Sequence, residues 1–197
     1  MSAHLTVFNV DKHEVAIEKI LGKKISPKIK DVSGDILVKA ILERVRSLPP
    51  REFEEFVSHL LGIIGFETVT TEYVGDRGVD VIGILNAEGL TNISLKVQVR
   101  RVRGKIGIEE VQRMRGTLTV DEHGAIITTS GFSHTAQREA ESERMKPISL
   151  IDGEMLVDMI LRHYDKLDDK YKELIQLKKK EPPALKERFV ISTELIK

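Results

Sequence analysis

From Gly34 onward the apolar positions fall into registers that assign elements directly. Ile36, Leu37, Ala40, Ile41, Val45 and Leu48 recur at helical spacing, and the Pro49-Pro50 pair stops the run. Pro50 suits the first turn of a second helix, where no N–H bond is lost. Phe53, Phe56, Val57, Leu60, Leu61 and Ile64 form its stripe, with Gly62 and Gly65 at its end. The period then drops to two. Phe66 to Tyr73 alternates and is rich in β-branched residues, which predicts a strand, and Val74 to Gly78 is a turn with two glycines. Val79 to Leu85 is apolar on both faces, the mark of a central strand, with Asp80 on the face of Ile82 and Ile84.

After a turn at Asn86 to Asn92, Ile93 to Arg101 alternates again. Ile93, Leu95, Val97 and Val99 share one side, and Ser94, Lys96, Gln98 and Arg100 the other. Ile108, Val111, Met114 and Leu118 predict a helix, Gly124 to Thr129 a buried strand, and Ser133 the cap of a helix reaching about Met145. Ile148 to Ile151 makes a last strand, and Asp152 caps the helix holding Leu156, Met159 and Ile160. An antiparallel meander thus runs into βαβ crossovers. The fold class is α/β, a mixed β-sheet flanked by helices. Beyond Leu161, Asp165 to Lys180 reads as an exposed helix, acidic at its start and basic at its end as the helix dipole favours.

Residues 1–33 carry weaker signals: Leu5, Val7 and Val10 suit a short strand, Val15 to Leu21 a helical turn or two, and Lys23 to Lys30 a polar connector. The chain therefore divides into an N-terminal arm (1–33), the α/β domain (34–164), and a C-terminal helix and tail (165–197) whose end has weak strand character. Composition supports one ordinary core, with 41% hydrophobic and 31% charged residues. Basic and acidic residues balance at 31 each, so an anionic partner has to be argued from local clustering. The absence of cysteine excludes disulfides, cysteine-zinc sites, iron–sulfur clusters and thiol nucleophiles. The histidines show no ligand spacing. No apolar run approaches about 18 residues and no signal peptide is evident, so a cytoplasmic protein without a membrane partner is expected.

Candidate chemistry gathers between Gly75 and Arg103. Neighbouring strands lie about 4.8 Å apart, so Asp80 and Gln98 on facing strands can converge on one hard cation, joined by the carbonyl oxygen of Val99. Lys96 and Arg100 flank Gln98 on the same face. Lys96, Arg100, Arg101, Arg103 and Lys105 contain no acid among them and read as a phosphate-contact strip, or more plainly as a solvated strand face with edge-protecting charges. Glu54 points within about 20° of Leu61 on a helical wheel, at the border of the apolar stripe. It is either an ordinary solvated glutamate or part of a site with a cationic or metal partner. Thr128, Thr129 and Ser130 end a buried strand, where they either contact a ligand or turn the chain and help cap the next helix.

Several stretches in order carry a family resemblance: L-P-P-R-E-F-E-E-F-V-S-H-L-L with I-G-F after it, G-D-R-G-V-D-V, V-Q-V-R-R, G-A-I-I-T-T-S-G-F-S-H-T-A, and L-I-D-G-E-M-L. From about Leu48 to Leu161 the sequence resembles the catalytic domain of Mrr-type restriction endonucleases, within the PD-(D/E)XK nuclease superfamily. The resemblance implies a restriction-endonuclease-like core and Mg²⁺-dependent cleavage of DNA, with Mn²⁺ as a substitute ion. It makes Asp80 the metal-ligating acid, Gln98 the glutamine used where relatives have a second acid, and Glu54 a further metal or water contact. The family pattern expects lysine two positions after the glutamine, and this chain has Arg100. Arginine stays protonated and offers a planar fork, so it can steady a phosphate but is a poor proton shuttle. Lys96 lies about 13 Å along the strand from Arg100, and Lys105 in the following turn is another donor.

Three readings follow. The first is a metal-dependent DNA endonuclease, with Asp80 and Gln98 on the metal, Glu54 assisting and Arg100 on the phosphate. The second is a catalytically degenerate DNA-binding module that keeps the nuclease fold. The third is a structural domain without nucleic acid. A homodimer is expected for the first, because cutting two strands usually takes two sites, and the helix from Asp165 is its candidate contact.

Overall fold

The computed structural model describes residues 32–71, 78–86, 92–142, 145–179 and 189–191. The expectations for the N-terminal arm up to residue 31, for the turn at Val74 to Gly78 apart from Gly78 itself, and for 87–91 fall outside them.

Two helices open the fold, α1 (Val32–Ser47) and α2 (Pro50–Ile64). Pro50 stands in the first turn of α2, and Phe53, Phe56, Val57, Leu60 and Leu61 are buried. Gly62 stays inside the helix, and Gly65 alone ends it. At φ 117° its N–H reaches Gly62 O at 3.0 Å, while Phe66 N reaches Leu61 O at 3.1 Å, which is a Schellman closure.

The sheet follows as β1 (Glu67–Thr70), β2 (Val81–Asn86), β3 (Asn92–Arg100), β4 (Glu122–Thr128) and β5 (Ile148–Ile151), hydrogen-bonded in that order. The first three strands are antiparallel. The pairs β3–β4 and β4–β5 are parallel, with α3 (Ile108–Gly116) and α4 (His134–Ala140) in the crossovers. This is the mixed sheet flanked by helices that the periodicity predicts. Its centre is β3, however. β2 sits one place from the edge, and Ile84 on its less covered face is 44% exposed.

One core packs α1, α2 and α5 (Gly153–Arg162) against Val81, Leu85, Leu95, Val97, Val99, Ala125, Ile127 and Ile151. A second, smaller core lies on the opposite face, where Val111 and Met114 of α3 and Ala136 of α4 cover Ile126 and Ile148. Helix α4 stops at Ala140, short of Met145. Ser133 caps its start as expected, but no apolar register continues past Ala140, and Arg115 binds both the carbonyl and the carboxylate of Glu139 at its last turn.

The segment after α5 is not a single exposed helix. A 3₁₀ turn (Tyr164–Lys166) leads into α6 (Asp169–Ile175), and Tyr164, Leu167, Tyr171 and Ile175 are buried in the larger core. The Arg44 guanidinium donates to Ile175 O, a cation on the last carbonyl of α6. Gln176, in the left-handed region at φ 49°, ends the helix. The apolar side of α6 is therefore spent on its own core. Leu177–Lys179 (β6) and Phe189–Ile191 (β7) pair as a separate antiparallel two-stranded sheet. Among the described residues no helix is long and apolar enough to cross a membrane.

Candidate active site

The site forms where β2 begins and β3 ends. Val81 pairs with Val97, so one step further the antiparallel register sets Asp80 opposite Gln98. The backbone carries the ladder that far, with Asp80 N donating to Val97 O at 2.9 Å. The chain then leaves β3, and the next amide of β3 needs another acceptor. The Asp80 carboxylate supplies it: Val99 N donates to Oδ2 at 2.6 Å.

Beside it, Gln98 is 1% exposed, and among the described residues neither its Oε1 nor its Nε2 has a hydrogen-bond partner. Leaving one such group unsatisfied costs about 1–3 kcal/mol, so a native structure keeps it for a reason. Gly78 closes over the amide. Its φ of +86° lies in the left-handed region, and a Cβ there would come within 2.9 Å of Gln98 Nε2.

Arg100 lies across this end of the strand. Its Nη1 is 3.1 Å from Val99 O and 3.5 Å from Asp80 Oδ2, while Nη2 is 3.4 Å from Glu110 Oε2. Glu110, in the first turn of α3, also holds Arg113 at 2.9 Å. Sequence reasoning did not single out Glu110, because its only local partner is Arg113 three residues on and its reach to β3 depends on the crossover. Glu54 on α2 is 8% exposed, not a solvated side chain, with Arg51 Nη1 at 3.6 Å. Burial pushes its carboxyl up, and the charge of Asp80 adds to the effect against Arg51 and Arg100. Burial raises Asp80 as well, opposed by the Val99 amide and Arg100 and helped by Glu110.

Among the described residues no three acids or histidines cluster tightly enough to hold a metal by themselves. The oxygen set is mixed instead: the Asp80 carboxylate, the amide oxygen of Gln98 and the carbonyl of Val99. That mix suits a hard ion such as Mg²⁺, which keeps several of its waters, and the unpartnered Gln98 Oε1 is the atom that fits it best.

The basic strip is only partly part of this site. Lys96 shares the face of Gln98 but is held at the far end of β3, its Nζ 2.9 Å from Glu122 Oε2 and 2.9 Å from Thr117 O. Arg101, Arg103 and Lys105 are exposed. Arg101 Nη1 donates to Arg46 O at 2.6 Å, and Arg103 grips both carboxylate oxygens of Glu43 at 3.1 and 2.8 Å. The backbone of this strip is fastened by Thr128, Thr129 and Ser130. Their hydroxyls donate to the carbonyls of Arg100, Val102 and Gly104 at 2.8, 3.1 and 2.7 Å. The triplet thus ties this strip in place, and the capping expected of it falls to Ser133, whose side chain accepts from Ala136 N. On the α3 side of Arg100 lies a cavity of about 530 Å³ lined by Gly78, Arg100, Gln112, Arg113, Gly116 and Thr117.

Comparison with known proteins gives the same frame. No curated protein matches the sequence. Among solved structures, the MspJI restriction endonuclease, in complex with a 27-mer oligonucleotide, is similar at 19% identity and a TM-score of 0.55, over 76% of this chain and 36% of that one. AspBHI, a DNA modification-dependent restriction endonuclease, is similar at 18% identity and a TM-score of 0.56, over 72% of this chain and 40% of that one. At such identities the likeness is one of fold, and this chain spans well under half of either protein. The family model Mrr_cat, described as restriction endonuclease, matches residues 45–160. With more than half of its length under that model and the restriction-endonuclease-like fold around it, the chain belongs to the Mrr-type restriction endonuclease family.

Proposed function

We propose that this protein is a metal-dependent DNA endonuclease that hydrolyses phosphodiester bonds. The observation that carries the reading is Gln98: a fully buried amide with both polar atoms unpartnered, set beside a buried carboxylate and an arginine. Asp80, Gln98 and the Val99 carbonyl would hold Mg²⁺, or Mn²⁺ in its place. A bound ion would supply a more acidic water and neutralise charge building on the phosphate. The chain's own groups do the rest. Arg100 presents two N–H donors to the scissile phosphate, charge-assisted and planar, and being permanently protonated it moves no proton. Glu54, whose carboxyl is pushed up by burial and by Asp80, is the group suited to exchange a proton with the attacking water. Arg101, Arg103 and Lys105 line the approach as phosphate contacts. In this reading the protein works in the cytoplasm, and as a homodimer, because cutting both strands usually takes two sites.

A second reading is favoured by Arg100 itself, which already sits on Asp80, Val99 O and Glu110. In it the protein binds DNA through the same surface and does not cut. Supercoiled plasmid with Mg²⁺ or Mn²⁺ separates the two. The nuclease reading expects nicking by the purified protein and at least about a hundredfold loss in Asp80→Ala, the scale of removing a main electrostatic contributor. Binding without nicking in either metal sinks it. Cleavage that appears only in Arg100→Lys would locate the defect at that residue.

A further inference from the structure

The three oxygen groups around Arg100 do not all belong to one partner. Asp80 Oδ2 at 3.5 Å and Val99 O at 3.1 Å are two of the donors assigned to the metal, and Glu110 Oε2 at 3.4 Å anchors the guanidinium from α3. The side chain is thus shared between the metal position and a neighbouring helix. Among the described residues, acids near the site face arginines: Glu54 faces Arg51, which Glu55 shares, Asp80 faces Arg100, and Glu110 faces Arg113 and Arg100 together. A divalent ion entering here meets a resident positive charge on two of its ligands. Gln98 differs, since its amide oxygen accepts no hydrogen bond among the described residues. Meanwhile the same guanidinium borders the cavity of about 530 Å³ that Arg113 and Gln112 line from α3, so a second arginine and an amide are available to an anion placed there.

We infer that Arg100 is a displaceable counter-cation: it occupies oxygens a divalent ion would use, and a DNA phosphate entering the adjacent cavity draws it off, so that metal loading follows DNA binding. The inference rests on the metal-site reading above. Its physical basis is simple. A guanidinium and a divalent ion cannot share Asp80 without strong like-charge repulsion, whereas a phosphate offers the guanidinium a bidentate partner in exchange. A lysine at this position would carry its three N–H donors on one nitrogen, without the second nitrogen by which the guanidinium spans from Asp80 to Glu110. The arginine therefore changes when the site takes up metal as well as what touches the phosphate.

Mn²⁺ binding to the full chain, followed by electron paramagnetic resonance of the free ion, tests this without any cleavage. In the absence of DNA, Arg100→Gln is expected to bind Mn²⁺ about tenfold more tightly than the wild type. Arg113→Gln removes the same charge from the neighbouring pair without vacating Asp80 or Val99 O, and is expected to change affinity less than about twofold. Adding a short DNA duplex, with the duplex-only signal subtracted, should narrow the gap between wild type and Arg100→Gln. Thermal melting confirms that each variant is folded, and Arg100→Met is the replacement if Arg100→Gln is not. Equal Mn²⁺ affinity in the wild type and Arg100→Gln, or equal gains in both arginine variants, overturns the displacement and leaves the metal site standing. No Mn²⁺ binding in any variant, with or without duplex, overturns both.

Discussion

Gln98 and Asp80 show how far single side chains depart from what stability alone would choose. A buried amide with no partner is a standing cost, so Gln98→Met, which keeps the length and removes both orphan atoms, is expected to stabilise the fold by about 1–2 kcal/mol in urea denaturation. The same change should abolish any nicking. Two carboxyls respond to pH with opposite sign. Asp80 is raised, by burial first, so its contribution is present below the ordinary aspartate range and is lost as pH rises through its raised value. Glu122 is lowered: burial works against it, but the Thr119 amide and the Lys96 ammonium outweigh that, so its contribution is present at neutral pH and is lost as pH falls through the lowered value. Melting temperatures measured against pH should therefore show Asp80→Asn above wild type at neutrality and Glu122→Gln below it, with both gaps closing in acid. At this scale the positions of Asp80, Gln98 and Arg100 on one row were legible, because strand alternation is local. Their partners were not. Glu110, Glu122 and Glu43 each reach the basic residues from another element, and nothing in the run Lys96 to Lys105 hints at them.

Elements were legible where the hydrophobic period was clean. The Pro50 start of α2, the Asp152 cap of α5 and the limits of β5 follow from residues alone. Helix α6 was misjudged for a physical reason: Leu167, Tyr171 and Ile175 recur every four residues, but the seven charged residues from Asp165 to Glu173 mask so narrow a stripe. Its burial has a consequence that can be measured. Tyr171→Ala is expected to destabilise the protein by about 3–4 kcal/mol in chemical denaturation, whereas the same change on a solvated helix would stay within about 0.5 kcal/mol. Gly78 acts at the level of the turn into β2. An alanine there meets both a left-handed backbone and the Gln98 amide, so Gly78→Ala should cost more than about 1 kcal/mol and weaken Mn²⁺ binding with it.

For the molecule as a whole, the balance of 31 basic against 31 acidic residues means that any attraction for DNA has to be local. If Arg101, Arg103 and Lys105 are the contacts, the logarithm of the DNA binding constant should fall with the logarithm of salt at a slope of about −3 per protomer, and Arg103→Ala should reduce that slope by about one. A salt-insensitive affinity would exclude the strip. The mixed topology, a meander running into βαβ crossovers, was readable from the sequence because hairpin-length turns and crossover helices leave few topologies. The closure of the larger core by α6 was not, since it depends on long-range packing. The fastening of the strip by Thr128, Thr129 and Ser130 carries one last implication. Every tether ends on a main-chain carbonyl, at Arg100, Val102 and Gly104, so the path of the segment does not depend on which side chains alternate with them. Positions 101, 103 and 105 form a rail whose residues can be exchanged while its course is kept, which makes them the natural place for this scaffold to evolve, or be engineered toward, a different grip on its substrate.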